Sequence, residues 1–101
     1  FAEAWKIDSK KIPDALSEGH AGSNLLKHLF PRMINRDFKP QGYTSQILKD
    51  LTMVSELGDK KNIPLPMTNL TKQLFTILSE NSKENLDGTS IIKLFKKDDK
   101  F

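Results

Sequence analysis

The chain has 101 residues and a mass of 11.5 kDa, which fits one compact domain and leaves no room for a second full-sized one. Hydrophobic residues make up 37% and charged residues 29%, enough for one modest core whose stability is thin unless a further surface is covered. With no cysteine, disulfide scaffolds, Cys-ligated zinc modules and thiol nucleophiles are excluded and an intracellular, cytoplasmic address is expected; a net charge of +3 with mixed signs is too weak to imply nucleic acid.

The chain opens on Phe1 without a Met or a basic leader before an apolar stretch, so it reads as cut from a longer protein. Asp8 or Ser9 is placed to cap a short helix carrying Ile12 and Leu16 and closed by Gly19, although Pro13 falls where an N–H is needed. From Ser23 to Arg36, residues Leu25, Leu26, Leu29, Phe30, Met33 and Ile34 recur at helical spacing behind a Ser23 cap. Pro31 lacks the N–H of a continuous helix, which predicts a kink or a fresh helix with the break at Phe30. A second periodic segment runs from Ser45 to Lys61, with Ile47, Leu48, Leu51, Val54 and Leu57 near one face, Thr44 or Ser45 as its cap, and Asn62 at a left-handed C-terminal position.

The prolines of Ile63-Pro64-Leu65-Pro66 then fix an extended apolar corner. From Met67 to Ser79, Leu70, Leu74, Ile77 and Leu78 predict a core helix. Asp87 is placed to cap a last helix containing Ile91, Ile92, Leu94 and Phe95. No segment alternates as a strand does for more than about four residues, so the fold class is all-α, a helical bundle. The longest runs without a charge, 41–48 and 63–70, are far shorter than a membrane span.

Catalytic constellations are scarce. His20 and His28 stand eight apart, which is not a metal-ligand spacing, and no metal is expected. Ser23 before an apolar run reads as a helix cap rather than a nucleophile. The loop from Gly19 to Asn24 lacks the lysine and the preceding strand of a phosphate loop. Lys39, beside Phe38 and near Tyr43, sits among interspersed acids and reads as a solvated face. On spacing alone Lys49 and Asp50 are two exposed charges before Leu51.

The run Pro31-Arg32-Met33-Ile34-Asn35-Arg36-Asp37-Phe38-Lys39-Pro40, followed by Lys49-Asp50-Leu51, resembles the C-terminal domain of the β-hydroxyacid dehydrogenases. That family includes 3-hydroxyisobutyrate dehydrogenase and tartronate semialdehyde reductase, and its helical domain is like that of 6-phosphogluconate dehydrogenase. The likeness extends through Ala21-Gly22-Ser23, the Ile63 to Pro66 corner and Asp87 to Leu94, covering residues 8–95 in unbroken order. Residues 1–7 look like the end of the family's interdomain helix, with Ile7-Asp8 arriving several residues early, through a deletion or missing residues; residues 8–101 are then the C-terminal dehydrogenase domain.

The resemblance implies an NAD- or NADP-dependent oxidoreductase acting on a small hydroxy acid, with a Rossmann domain outside this chain and a homodimer or homotetramer as the assembly. It implies that Lys49 contacts the cofactor and that Asp50 is an orienting carboxylate near the catalytic centre. The general-acid lysine lies upstream in the family, so this chain alone is inactive. Where the family has an aromatic residue eight positions before the Asp, this chain has Gly42; either Tyr43 substitutes in the substrate pocket or the pocket is wider. The competing reading is a stand-alone helical module whose apolar strips, including the Ile63 to Met67 corner, dock on a protein partner.

Overall fold

The computed structural model describes residues 1–96, 98 and 99. As the periodicities predict, the described residues are helical, with no β-strand and one antiparallel bridge between Tyr43 and Asp87. They form two compact units, residues 1–38 and 39–101.

In the first unit, the opening turn closes as a helix end does. Ile7 N donates to Ala2 O and Lys6 N to Glu3 O, with Lys6 in the left-handed region at φ 57°. Asp8 caps a 3-10 turn, Ser9–Lys11, by accepting from Lys10 N at 3.3 Å. Helix α1 (Ile12–Leu16) begins one residue before Pro13, in the first turn, where no intrahelical N–H bond is required; the expected conflict at Pro13 therefore does not arise. Helix α2 (Asn24–Ile34) is capped by Ser23, whose Oγ accepts from Leu26 N at 2.9 Å. The break expected at Phe30 is absent, and the helix runs unbroken through Pro31. Pro31 removes only the bond to the carbonyl of exposed Lys27, and Asn35 N still bonds to Pro31 O at 3.0 Å, so neighbouring turns carry the helix past the gap. Arg36, at φ 54°, ends it with Asp37 N donating to Arg32 O at 2.9 Å. The Arg36 guanidinium also donates to Met33 O and pairs with both carboxylate oxygens of Glu3, at 3.4 and 3.2 Å.

In the second unit, helices α3 (Thr44–Lys60) and α4 (Pro66–Asn81) fold back on each other. Asn62 takes the expected left-handed position, φ 55°, with Ile63 N on Gly58 O at 3.0 Å. The connection then passes so close to α3 that a Cβ on Gly58 would lie 2.6 Å from Leu65 Cδ1. Pro66 belongs to α4 rather than to the corner; as first residue it gives up an N–H the helix leaves unpaired anyway. Ser55 Oγ bonds to Asn69 Oδ1 at 2.9 Å across the two helices. The last helix, Gly88–Phe95, is 3-10 and packs on α4.

The apolar stripes become the core their spacing predicts only in part, with Ile47, Leu48, Leu51 and Leu74 half-buried. Leu78 is the one fully buried large apolar side chain among the described residues. Val54, Leu57, Leu70 and Ile77, expected inside, are exposed, Leu57 at 61%. Met53, Ile63 and Met67 lie open beside them. These faces have the composition of a buried surface without a cover.

Candidate functional site

Lys49 and Asp50 occupy the second turn of α3, as their position predicts. Neighbours in sequence point about 100° apart on a helix, yet the Lys49 Nζ reaches to 3.6 Å from Asp50 Oδ1. Both side chains are about 70% exposed, so water screens the pair and leaves the ammonium available to another anion. Tyr43, the residue before α3, is 44% exposed. Seven residues separate it from Asp50, close to two turns, so both lie on one side of the helix about 10 Å apart along it. Gly42 sits beside them, and a side chain built there would meet nothing within 4 Å. The surface of this unit thus presents a cation, a carboxylate and a phenol along the first two turns of α3.

The helix start is built differently from its expected form. Neither Thr44 nor Ser45 caps α3. The Thr44 hydroxyl donates to Leu86 O at 2.9 Å, and the Ser45 hydroxyl accepts from Asn85 Nδ2 at 2.7 Å. Gln46 reaches back instead, and its Oε1 accepts from Tyr43 N at 3.3 Å. The amides of Thr44 and Ser45 donate to Leu86 O (2.9 Å) and Asn85 Oδ1 (3.2 Å).

Asp87 completes this arrangement. It caps the last helix as expected, Oδ1 accepting from Thr89 N at 3.0 Å and Thr89 Oγ at 2.8 Å. Its other oxygen, Oδ2, accepts from Gln41 N at 2.8 Å and Gly42 N at 3.0 Å. Gly88 N returns a bond to Gly42 O at 2.9 Å, and a Cβ on Gly88 would collide with Ile47 Cδ1. Asp87 is 3% exposed. Burial pushes its carboxyl up, but the donors from Gln41, Thr89 and Gly42 outweigh that effect and hold it well below the ordinary carboxylate range. The Asp-x-Thr pattern signals the cap; the second oxygen's partners, 45 and 46 residues away, carry no local signal.

The other candidates form no further site among the described residues. His20 and His28 are exposed, and among the described residues no group of His, Asp or Glu could hold a metal. In the 19–24 loop, Gly22 is required because a Cβ would strike the Ser17 carbonyl, which accounts for that glycine by close backbone approach. No helix of the described residues is long and apolar enough to cross a membrane.

A family model described as NAD-binding of NADP-dependent 3-hydroxyisobutyrate dehydrogenase matches residues 1–95. The chain is 31% identical over 97 residues to a probable 3-hydroxyisobutyrate dehydrogenase-like protein 2, mitochondrial, of Arabidopsis thaliana, covering 96% of this chain and 31% of that protein. It is 28% identical over 93 residues to 2-hydroxy-3-oxopropionate reductase of Escherichia coli, covering 92% of this chain and 32% of the reductase. A crystal structure of 3-hydroxyisobutyrate dehydrogenase from Salmonella typhimurium shares the fold at a TM-score of 0.85 and 21% identity, over 93% of this chain and 33% of that one. The chain therefore spans about a third of the length of these relatives.

Proposed function

Because the chain belongs to the NAD-binding family of NADP-dependent 3-hydroxyisobutyrate dehydrogenase, we propose that it is the helical C-terminal part of an enzyme that exchanges a hydride between NAD or NADP and a small 2- or 3-hydroxy acid. The family match over residues 1–95 carries this reading. Residues 8–101 form the C-terminal domain and residues 1–7 the end of an interdomain helix. The family's cofactor is NAD or NADP, which when bound supplies the hydride acceptor or donor.

The residues present fit one side of such a dinucleotide. Lys49 offers an exposed point charge, only loosely paired at 3.6 Å, suited to an anionic group of the cofactor. Asp50 beside it orients a catalytic ammonium brought from outside this chain, where the general-acid lysine lies. Tyr43 flanks the substrate, and open space at Gly42 widens the pocket mouth. Alone, this part does not turn over. The uncovered faces of α3 and α4, with Met53, Leu57, Met67 and Leu70 each at least half exposed, support assembly as a homodimer or homotetramer. The same exposure favours a second reading, a helical module that docks on a protein partner without catalysis.

The test uses the full-length polypeptide that carries this chain, assayed for NAD(P)-linked oxidation of small hydroxy acids. Lys49→Ala is expected to raise the cofactor KM about tenfold, the equivalent of about 1.4 kcal/mol of lost charge pairing, with an unchanged circular dichroism spectrum. An unchanged cofactor KM removes Lys49 from the site. No NAD(P)-linked turnover in the unsubstituted protein overturns the dehydrogenase reading in favour of the docking module.

A further inference from the structure

The backbone leading into α3 is held more completely than a surface turn needs. All five amides from Gln41 to Ser45 have acceptors: Asp87 Oδ2 for the first two, then Gln46 Oε1, Leu86 O and Asn85 Oδ1. Four of the five bonds come from residues 85–87. On the outer side the same segment is open, with Tyr43 44% exposed and free space at the Gly42 Cβ position. A segment fixed through its backbone, with Thr44 buried and Tyr43 left uncovered, is built to present that phenol.

Asp87 is the residue that makes this hold possible. Capping the last helix takes one acceptor atom, which Ser, Thr or Asn supplies without placing a charge in a site that is 3% exposed. Only a carboxylate of this length has two acceptor oxygens, one for the Thr89 side and one for Gln41 and Gly42. The charge is therefore spent on the link between the two segments.

We propose that Asp87 is a positioning residue for the hydroxy-acid site: by joining the Gly88 helix start to the Gln41–Gly42 backbone it fixes Tyr43 and the first turns of α3 against the substrate. This rests on the dehydrogenase reading above. Asp87 touches no reacting atom and acts through Tyr43, while Lys49, on the second turn of α3, is held mainly by the helix itself. Loss of the link displaces the substrate-facing residue more than the cofactor-facing one.

The experiment compares full-length wild type, Asp87→Asn and Thr89→Val. Asn puts an amide donor against amide donors on one side; Val deletes the hydroxyl bond to Oδ1 and keeps the carboxylate. Expected for Asp87→Asn are a hydroxy-acid KM raised about tenfold, a kcat within about twofold and a cofactor KM within about twofold. Thr89→Val shifts the hydroxy-acid KM the same way by about two- to threefold, and amide hydrogen exchange accelerates across residues 41–45 in both variants. A lower melting temperature with unchanged KM values in Thr89→Val and in folded Asp87→Asn overturns the proposal and leaves Asp87 a stabilising residue only. A proportional loss of kcat without a KM change does the same. Absence of NAD(P)-linked turnover in wild type, read before any variant is made, overturns the dehydrogenase reading and the positioning role with it. That failure is distinct, because it is read in wild type alone, whereas the positioning role by itself fails in the KM values of the variants.

Discussion

The two ends of chemistry in the 39–101 unit are handled in opposite ways. At the start of α3, polar groups are buried and paired: Thr44, Asp87 and Thr89 are each under 5% exposed and bonded to one another's segments. Along the middle of α3 and α4, apolar groups are open, with Leu57 at 61% and Met67 at 72%. A chain that folded only for its own stability would bury the leucines first, since each is worth about 1.5–3 kcal/mol when covered. The inversion teaches that geometry at the helix start is secured internally, while the apolar faces of α3 and α4 carry none of that internal pairing and stand open.

The sharpest break of this comparison is Asp87→Ala. It leaves the Gln41, Gly42 and Thr89 donors without their acceptor in a closed site, at an expected cost of about 3 kcal/mol or more in urea unfolding of the full-length polypeptide. The pH dependence has a defined sign. The Asp87 carboxyl is held below its ordinary value of 3.8, so its contribution is complete above that pH and is lost as pH falls toward the folded value. Asp87→Ala should therefore flatten part of the acid limb of a melting-temperature profile.

Next in size is Gly58→Val. Its Cβ meets Leu65 Cδ1 at 2.6 Å and Ile63 O at 3.2 Å, so the corner must shift, and about 1–3 kcal/mol of stability should be lost in the same assay. Ser90→Ala has the opposite sign. Ser90 is fully buried and its hydroxyl has no partner among the described residues, so deleting the oxygen should raise stability by up to about 1 kcal/mol in thermal unfolding. The smallest effect on the folded unit belongs to Leu57→Lys, within about 0.5 kcal/mol for an exposed site. Its readout is assembly: light scattering should report a smaller particle than wild type, and an unchanged mass would remove this face from the interface.

Much of the fold was legible from local pattern. The Ser23 cap, the Asn62 helix end and the Asp87 cap each depend on residues a few positions apart, and local sequence encodes such contacts directly. The fresh helix expected at Pro31 does not form because one missing bond on an exposed turn is tolerated by the bonds on either side. The Thr44 or Ser45 cap was misread because Asn85 and Leu86, about 40 residues away, took over both hydroxyls and both amides. Lys49, Asp50 and Tyr43 were placed by resemblance, and the helix puts them along one start; the residue that fixes that start was recognised only as a cap.

The sequence by itself determined the helix boundaries at Ser23, Asn62 and Asp87, because hydrophobic period and caps act over a few residues. Tertiary structure alone decided that Asp87 holds the entry to α3, and that the stripes on α3 and α4 stay uncovered. Both depend on which distant groups meet, and the period of a stripe fixes only that a face is apolar, not what lies against it.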